Sequence, residues 1–403
     1  MILHRAAWVV PIAGPPLPEG WVLTANGRIV ACGTGDPSAA SGGAAFETND
    51  LGDAAILPGL VNAHTHLELS WMRDRVPPAE SMPDWASRLI ELRRTVTSEP
   101  PGPIAGAVAE LRAAGTALVG DVTNMLEAYD ILADSGVAAV VFRELLGFAV
   151  QDGDPVVATA QAELDRLTPL PELHLSIVPH APYSVSPALF RAIGRAAGDH
   201  PISVHVAESV EEMQFLRDGT GAWRDLLEQL GAWTDAWMAP VCGPVEYLER
   251  LGLLSDRLIA VHGTHLEEKE LAQLAAAGAT LVTCPRSNRW TGAGTPSIER
   301  FYASGVRVAI GTDSLASVED LNLFAELAAV RRLAPDIAAK RLLESGTIHG
   351  AAALGFGADL GTIEAGKRAD LIAVRVPAGL YDVEEYLVGG IEPDAVRWLD
   401  GTS

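Results

Sequence analysis

From Ile56 onward the chain alternates short apolar runs of β type with longer stretches whose apolar residues recur at helical spacing. The β-type runs are residues 56–66, 116–123, 138–147, 174–184, 202–208, 258–265, 280–288 and 306–314. Segments 211–230 and 267–276 between them predict amphipathic helices. Alternation of β and α units predicts a parallel sheet, and eight such units predict a closed (β/α)8 barrel of TIM type, so the fold class is α/β. The active site of such a barrel lies at the carboxyl ends of its strands, where each of these runs turns polar.

The two ends of the chain follow a different pattern. Residues 22–32, with Ala25-Asn26-Gly27-Arg28 as a turn, predict a β-hairpin, and residues 360–376 predict strand, turn, strand. Pairing of these ends predicts a small β-sandwich domain from residues 1–55 and 358–403, with the barrel formed by residues 56–357. Segments 14–20 and 41–44, rich in Gly and Pro or in Gly and Ala, are expected as surface loops.

Composition narrows the partners. The 403 residues are 48% hydrophobic and 20% charged, enough for a large core and too apolar for disorder. Lys and Arg number 29 against 52 Asp and Glu, a formal charge of -23 that opposes binding to nucleic acid or an anionic membrane. A small-molecule substrate is the expected partner, and a homo-oligomer is left open. No apolar stretch reaches the roughly 18 residues that span a bilayer. The run at 137–150 is broken by Arg143 and Glu144, and residues 1–13 read as a first strand, because Pro11 interrupts them and no cleavage site follows. Cys32, Cys242 and Cys284 are too few for a disulfide framework and fit a reducing cytoplasm.

Metal-type ligands stand at the ends of three separated runs: His64 and His66 on the first, His205 on the fifth, and Asp313 on the last. Alternate strand positions face the same way, so His64 and His66 share a face. A single His on an apolar strand is ordinarily a core residue, but the set reads as one site for one divalent ion. Imidazole and carboxylate suit Zn2+, with Fe2+ or Mn2+ as alternatives, and an open position for water marks a catalytic site. Such an ion lowers the pKa of water from about 15.7 toward about 7. Glu208, His262 and Asp313 are the proton-transfer candidates, with Glu208 carrying a proton to the substrate and His262 and Asp313 orienting and deprotonating the water. The competing reading of Glu208 is a solvent-facing residue at the start of a helix. The zinc-deaminase signature His-x-Glu with Pro-Cys-x-x-Cys is absent.

Pro58-Gly59-Leu60-Val61-Asn62-Ala63-His64-Thr65-His66, His205-Val206-Ala207-Glu208, His262, Gly311-Thr312-Asp313-Ser314 and Gly366-Lys367-Arg368-Ala369-Asp370 together resemble the amidohydrolase superfamily. Within it the chain is similar to the mononuclear branch of nucleoside deaminases and triazine chlorohydrolases. The resemblance implies a distorted (β/α)8 barrel with a β-sandwich, and His64, His66, His205 and Asp313 as metal ligands. No Lys stands at the fourth run to bridge two ions as a carbamate, so one metal is implied. His180, in Pro179-His180-Ala181-Pro182-Tyr183-Ser184, resembles a position that contacts the purine ring. Glu68 and Glu144 are candidates for ribose hydroxyls or for pairing with an Arg, Trp85 for an aromatic wall, and His265 for the pocket lining. Arg286, Ser287 and Asn288 resemble the end of the family's seventh strand. The motifs look most like aminofutalosine (6-aminodeoxyfutalosine) deaminases of a menaquinone pathway. That implies hydrolytic deamination of a 6-aminopurine nucleoside. Adenosine or S-adenosylhomocysteine deamination, hydrolysis of another amino- or chloro-substituted heterocycle, and a catalytically silent metal-binding paralogue are the alternatives.

Overall fold

The computed structural model describes residues 1–96 and 102–399. The chain divides into two compact units, one of Met1–Asn62, Glu110–Leu118 and Asn322–Ser403, the other of Ala63–Ala109 and Val119–Leu321.

In the first unit, strands Gly20–Ala25 and Arg28–Thr34 form the expected hairpin. Asn26 and Gly27 both adopt positive φ (51° and 70°), as a two-residue turn matched to right-handed strand twist requires. Ile2–Arg5 and Glu47–Asp50 complete that sheet. A second sheet runs in the order Val396–Trp398, Leu371–Arg375, Ala54–Pro58, Trp8–Val9, Leu17–Pro18, so strands from both ends of the chain lie side by side. Val9, Val22, Ile29, Ile56, Ile363 and Leu371 are buried in one core drawn from both sheets.

Two expectations are corrected here. Run 56–66 is not one strand: Ala54–Pro58 pairs antiparallel with Leu371–Arg375, and a separate strand begins at Leu60. The break falls at Gly59, where a Cβ would stand 2.5 Å from Ala117 Cβ and 3.3 Å from Asp370 O. Of segment 360–376 only Leu371–Arg375 is a strand. Before it the backbone bonds singly to several neighbours, with Ile363 N–H donating to Pro11 O and Gly366 N–H to Ile29 O.

Eight strands build the barrel: β1 (Leu60–Thr65), β2 (Thr116–Thr123), β3 (Ala138–Leu145), β4 (Leu173–Pro179), β5 (Ile202–Val206), β6 (Leu258–His262), β7 (Thr280–Thr283) and β8 (Arg307–Ile310). They form two four-stranded sheets, in the orders β4-β3-β2-β1 and β5-β6-β7-β8. Neighbours β3 and β4, and each consecutive pair from β5 to β8, are parallel. The sheets meet at two seams. A parallel bridge joins Thr65 to Asp313, and the His205 N–H donates to His180 O at 2.9 Å.

Helices follow the strands, many opened by Pro in the first turn and capped by Ser; Ser81, Ser186 and Ser209 each accept a helix N–H. The segment 211–230 is two helices, Val210–Asp218 and Ala222–Gln229, because Gly219 and Gly221 take positive φ between them. Run 280–288 ends early: Pro285 opens the short helix Pro285–Trp290. Among the described residues no helix is long and apolar enough to cross a membrane.

Candidate metal centre and active site

His64 is the fifth residue of β1 and His66 follows its end, which places both imidazoles at the barrel's carboxyl face. The chain then turns into the 3-10 helix Leu67–Met72, held by the Leu67 N–H donating to buried Asp121 Oδ1 at 2.9 Å. Asp313, past β8, reaches the same point. Its Oδ1 lies 3.8 Å from His64 Nε2 and 3.7 Å from His66 Nε2. These separations are too long for hydrogen bonds. They suit donors around one ion, which stand about 3.4 Å apart for bonds of about 2.1 Å at tetrahedral angles. His64, His66 and Asp313 thus offer a set that fits a divalent metal.

The second oxygen of Asp313 is already fixed. Ser287 Oγ donates to Oδ2 at 2.5 Å, and Ser317 Oγ lies 3.3 Å from it. His64 O accepts the Thr312 and Asp313 N–H groups, both at 3.1 Å, and Thr65 Oγ1 donates to Asp313 O. Burial by itself would push the Asp313 carboxyl up, but the adjoining imidazoles of His64, His66 and His262 outweigh it and hold the group well below the usual carboxylate range. Its ionised form is thereby favoured. Burial draws His64 down to about 4 and lowers His205 and His262 as well, so these rings are neutral and free to use a nitrogen lone pair.

His205, on β5, and His262, at the end of β6, stack at 5.2 Å with His262 Nε2 3.1 Å from His205 Nδ1. The far side of His262 is set by Asn288: its Oδ1 accepts from His262 Nδ1 at 2.7 Å, and its Nδ2 donates to Thr264. This fixes the proton on Nδ1 and leaves Nε2 as the acceptor, 3.5 Å from Glu208 Oε1. Glu208 is 2% exposed, and its Oε2 has no hydrogen-bond partner. Burial, then the charges of Asp313 and Glu212, push its carboxyl well above the usual range, which favours its protonated form. Backbone strain concentrates here, because Ala207, His262 and Asp313 all adopt positive φ (49°, 72° and 62°).

A cavity of about 460 Å³ opens on this cluster, lined by His66, His180, His205, Glu208 and Asp313 and, farther out, by apolar side chains including Trp85, Phe148 and Trp223. His64 and His262 sit behind that surface, fully buried. His180 lines the cavity with Nδ1 2.6 Å from Ser184 Oγ. Glu144 lines it with Oε2 accepting from Asn124 Nδ2 at 3.0 Å. Glu68 also lies on the wall, but its Oε2 accepts from Thr123 Oγ1 and from the Asn124 and Met125 N–H groups, while Oε1 faces Arg93 at 3.6 Å. Its contacts tie the wall of the cavity together. Arg143 instead pairs with Glu163, and His265 turns away to Ala293 O. Arg286 pairs with Glu319 and Asp320.

Sequence reasoning passed over Glu212, Ser317, Trp223 and Asn124. Glu212 had a usable signal: Ser209-Val210-Glu211-Glu212 is a capping-box pattern. The other three are ordinary polar or aromatic residues whose positions only the fold reveals.

A parallel barrel with buried imidazoles, a carboxylate and a buried Glu gathered at its carboxyl face has the groups that metal-assisted hydrolysis needs. Residues 55–391 match the amidohydrolase family, and the chain belongs to that family. It is 35% identical over 314 residues to an aminodeoxyfutalosine deaminase of Deinococcus radiodurans, covering 75% of this chain and 74% of that one. With a 5-methylthioadenosine/S-adenosylhomocysteine deaminase of Desulforudis audaxviator it shares 29% identity over 391 residues, 93% and 85% of the two chains. A solved adenosine deaminase of Xanthomonas campestris with bound zinc superimposes with a TM-score of 0.82 at 30% identity, over 98% of this chain and 90% of that one. The protein is therefore a hydrolytic enzyme acting on carbon–nitrogen bonds, with a distorted (β/α)8 barrel and an additional sheet domain.

Proposed function

We propose that the enzyme removes the 6-amino group of a purine nucleoside as ammonia, with 6-aminodeoxyfutalosine as the substrate. The observation that carries this reading is the buried Glu208, 3.5 Å from Nε2 of His262, both adjoining the imidazole–carboxylate cluster. Deamination of an aminopurine needs both partners: a proton must reach the ring nitrogen next to the attacked carbon, and a proton must leave the attacking water.

His64, His66, His205 and Asp313 would hold one divalent ion, with zinc the proposed metal. That ion would supply Lewis acidity that makes water nucleophilic near neutral pH. Glu208 donates its proton to the ring nitrogen. The neutral His262, with Nδ1–H committed to Asn288, exchanges its contact with His205 Nδ1 for the attacking water and accepts that water's proton at Nε2. Asp313, ionised throughout, accepts a hydrogen bond from that water and orients it. The carbon gains a hydroxyl, His262 passes the water's proton on to the amine, the C–N bond breaks to release ammonia, and the hydroxyl proton returns to Glu208 as the carbonyl of the hypoxanthine form is made. His180, its Nδ1 held by Ser184, offers the purine edge its other ring nitrogen. Glu144 faces the sugar, and Trp85 forms part of the apolar wall. The Deinococcus relative, at 35% identity, supports the substrate named; the Desulforudis relative makes 5-methylthioadenosine and S-adenosylhomocysteine the natural competitors.

The test is ammonia release and loss of adenine absorbance with zinc-loaded enzyme on 6-aminodeoxyfutalosine, adenosine, 5-methylthioadenosine and S-adenosylhomocysteine. The reading expects the first to have the highest kcat/KM. It expects Glu208→Gln to lower turnover about 10²- to 10⁴-fold with metal content unchanged. Faster turnover of a competitor would replace the substrate, and turnover only of pyrimidines or triazines would overturn the purine reading.

A further inference from the structure

Glu144, His180 and His205 stand at or near the ends of β3, β4 and β5, and each offers one ligand atom within 4.8 Å of the other two. His64, His66 and Asp313 satisfy the same condition without using any of these three. Each member of the Glu144 group is held at its other polar atom: Glu144 Oε2 by Asn124 Nδ2, His180 Nδ1 by Ser184 Oγ, and His205 Nδ1 by His262 Nε2. Outer partners of this kind orient metal ligands and fix which atom they present. His205 Nε2 is buried, has no hydrogen-bond partner, and lies 3.7 Å from Glu144 Oε1. That distance is beyond a hydrogen bond and again suits two donors on one small cation.

We propose that Glu144, His180 and His205 form a second divalent-cation position, filled when metal is in excess, and that filling it inhibits the enzyme. The inference rests on the metal reading given under Proposed function and adds to it a competing position. Two imidazoles and one carboxylate are a donor set suited to zinc and neighbouring ions. Inhibition follows from the geometry in two ways. Glu144 and His180 line the cavity that the substrate must fill, so an ion between them excludes it. Moreover, the lone pair of His205 Nε2 can serve one ion at a time, so the second position draws this ring away from the first. A formal charge of -23 raises the local concentration of cations.

Cobalt titration of the full-length, chelator-stripped protein tests this, with bound metal read by equilibrium dialysis and ligand-field absorbance. Wild type is expected to take up two equivalents, the second more weakly. Glu144→Gln, which keeps the shape but removes the charged donor, should stop at one; His180→Gln serves as a second variant should the first not fold. Wild-type turnover should fall as zinc exceeds one equivalent and recover when the excess is chelated. A wild-type titration ending at one equivalent overturns the proposal and leaves the first site standing. Two equivalents retained by both variants overturn it as well. No cobalt bound at all overturns it together with the metal reading beneath it.

Discussion

Glu212 reaches back along the chain so that its Oε1 accepts the Ala207 N–H at 2.9 Å and its Oε2 the Glu208 N–H at 3.0 Å. Ala207 is in the left-handed region, so the Glu212 side chain clamps the strained turn that presents Glu208. Replacing it by Gln sets an amide N–H₂ against one of those donors. Glu212→Gln should therefore lower kcat by about 10- to 100-fold while leaving metal content intact, as a displacement of Glu208 by about 1 Å would; steady-state kinetics with metal analysis checks this. Burial, against the two backbone hydrogen bonds, raises the Glu212 carboxyl from 4.5 to about 8. The folded state then holds the proton more tightly than the unfolded chain, so stabilisation is full below about 4.5 and is lost as pH rises toward 8. Urea midpoints across that range should fall for wild type and fall less steeply for Glu212→Gln. Catalysis has the same sign at Glu208: the proton it donates is lost as pH rises through its elevated pKa, so kcat should decline on the alkaline side, and a pH profile lacking that decline would remove Glu208 as the acid.

At the scale of elements, Gly311 shows how closely β8 approaches β1. A Cβ there would stand 2.7 Å from His64 O and 2.9 Å from His64 Cβ. Gly311→Ala must push the two strands apart at the point where His64 and Asp313 converge. It should cost about 1 to 3 kcal/mol in urea unfolding, and weaken metal retention on dialysis more than a substitution elsewhere in the barrel of equal cost. The order of the strands was legible because each buried run is short, apolar and ended by a polar residue: β2 begins and ends where its run does, at Thr116 and Thr123. What the pattern could not show was how a continuous apolar run divides between sheets. Residues 56–66 are apolar throughout their first half, yet Gly59 separates two strands with different partners, and hydrophobicity carries no record of a close approach to Ala117. Likewise the helical pattern in 211–230 continues across Gly219 and Gly221, and only their positive φ divides it.

For the whole molecule, the groups gathered at the carboxyl face come from strand ends far apart in sequence, and that gathering was legible because the barrel topology dictates it. His64, His66, His180, His205, Glu208, His262 and Asp313 all stand where the strands end. The supporting groups were not legible. Ser287 and Ser317 on Asp313, and Asn288 on His262, are defined by contacts between loops, and polar loop residues have no periodicity to betray them. Removal of metal by a chelator should abolish turnover and lower thermal stability, both restored by zinc. An ion at about a hundred times its Kd contributes about 2.7 kcal/mol. Calorimetry of stripped and reloaded protein reads that difference, and an unchanged transition would separate the metal from the fold.

The two seams of the barrel coincide with the site. One is the Thr65–Asp313 bridge, the other the bond from His205 N–H to His180 O, and the residues that flank them are the ones whose side chains converge. A cation held, as proposed, by His64, His66, His205 and Asp313 would be a clasp across a split cylinder, its grip shared by one half ending in β4 and another beginning in β5. Unclasped, the halves should breathe at those joints before any strand within a half lets go. The amides of His205, Thr312 and Asp313 would exchange their protons for deuterium early in the stripped protein, while those inside β3 and β6 keep theirs.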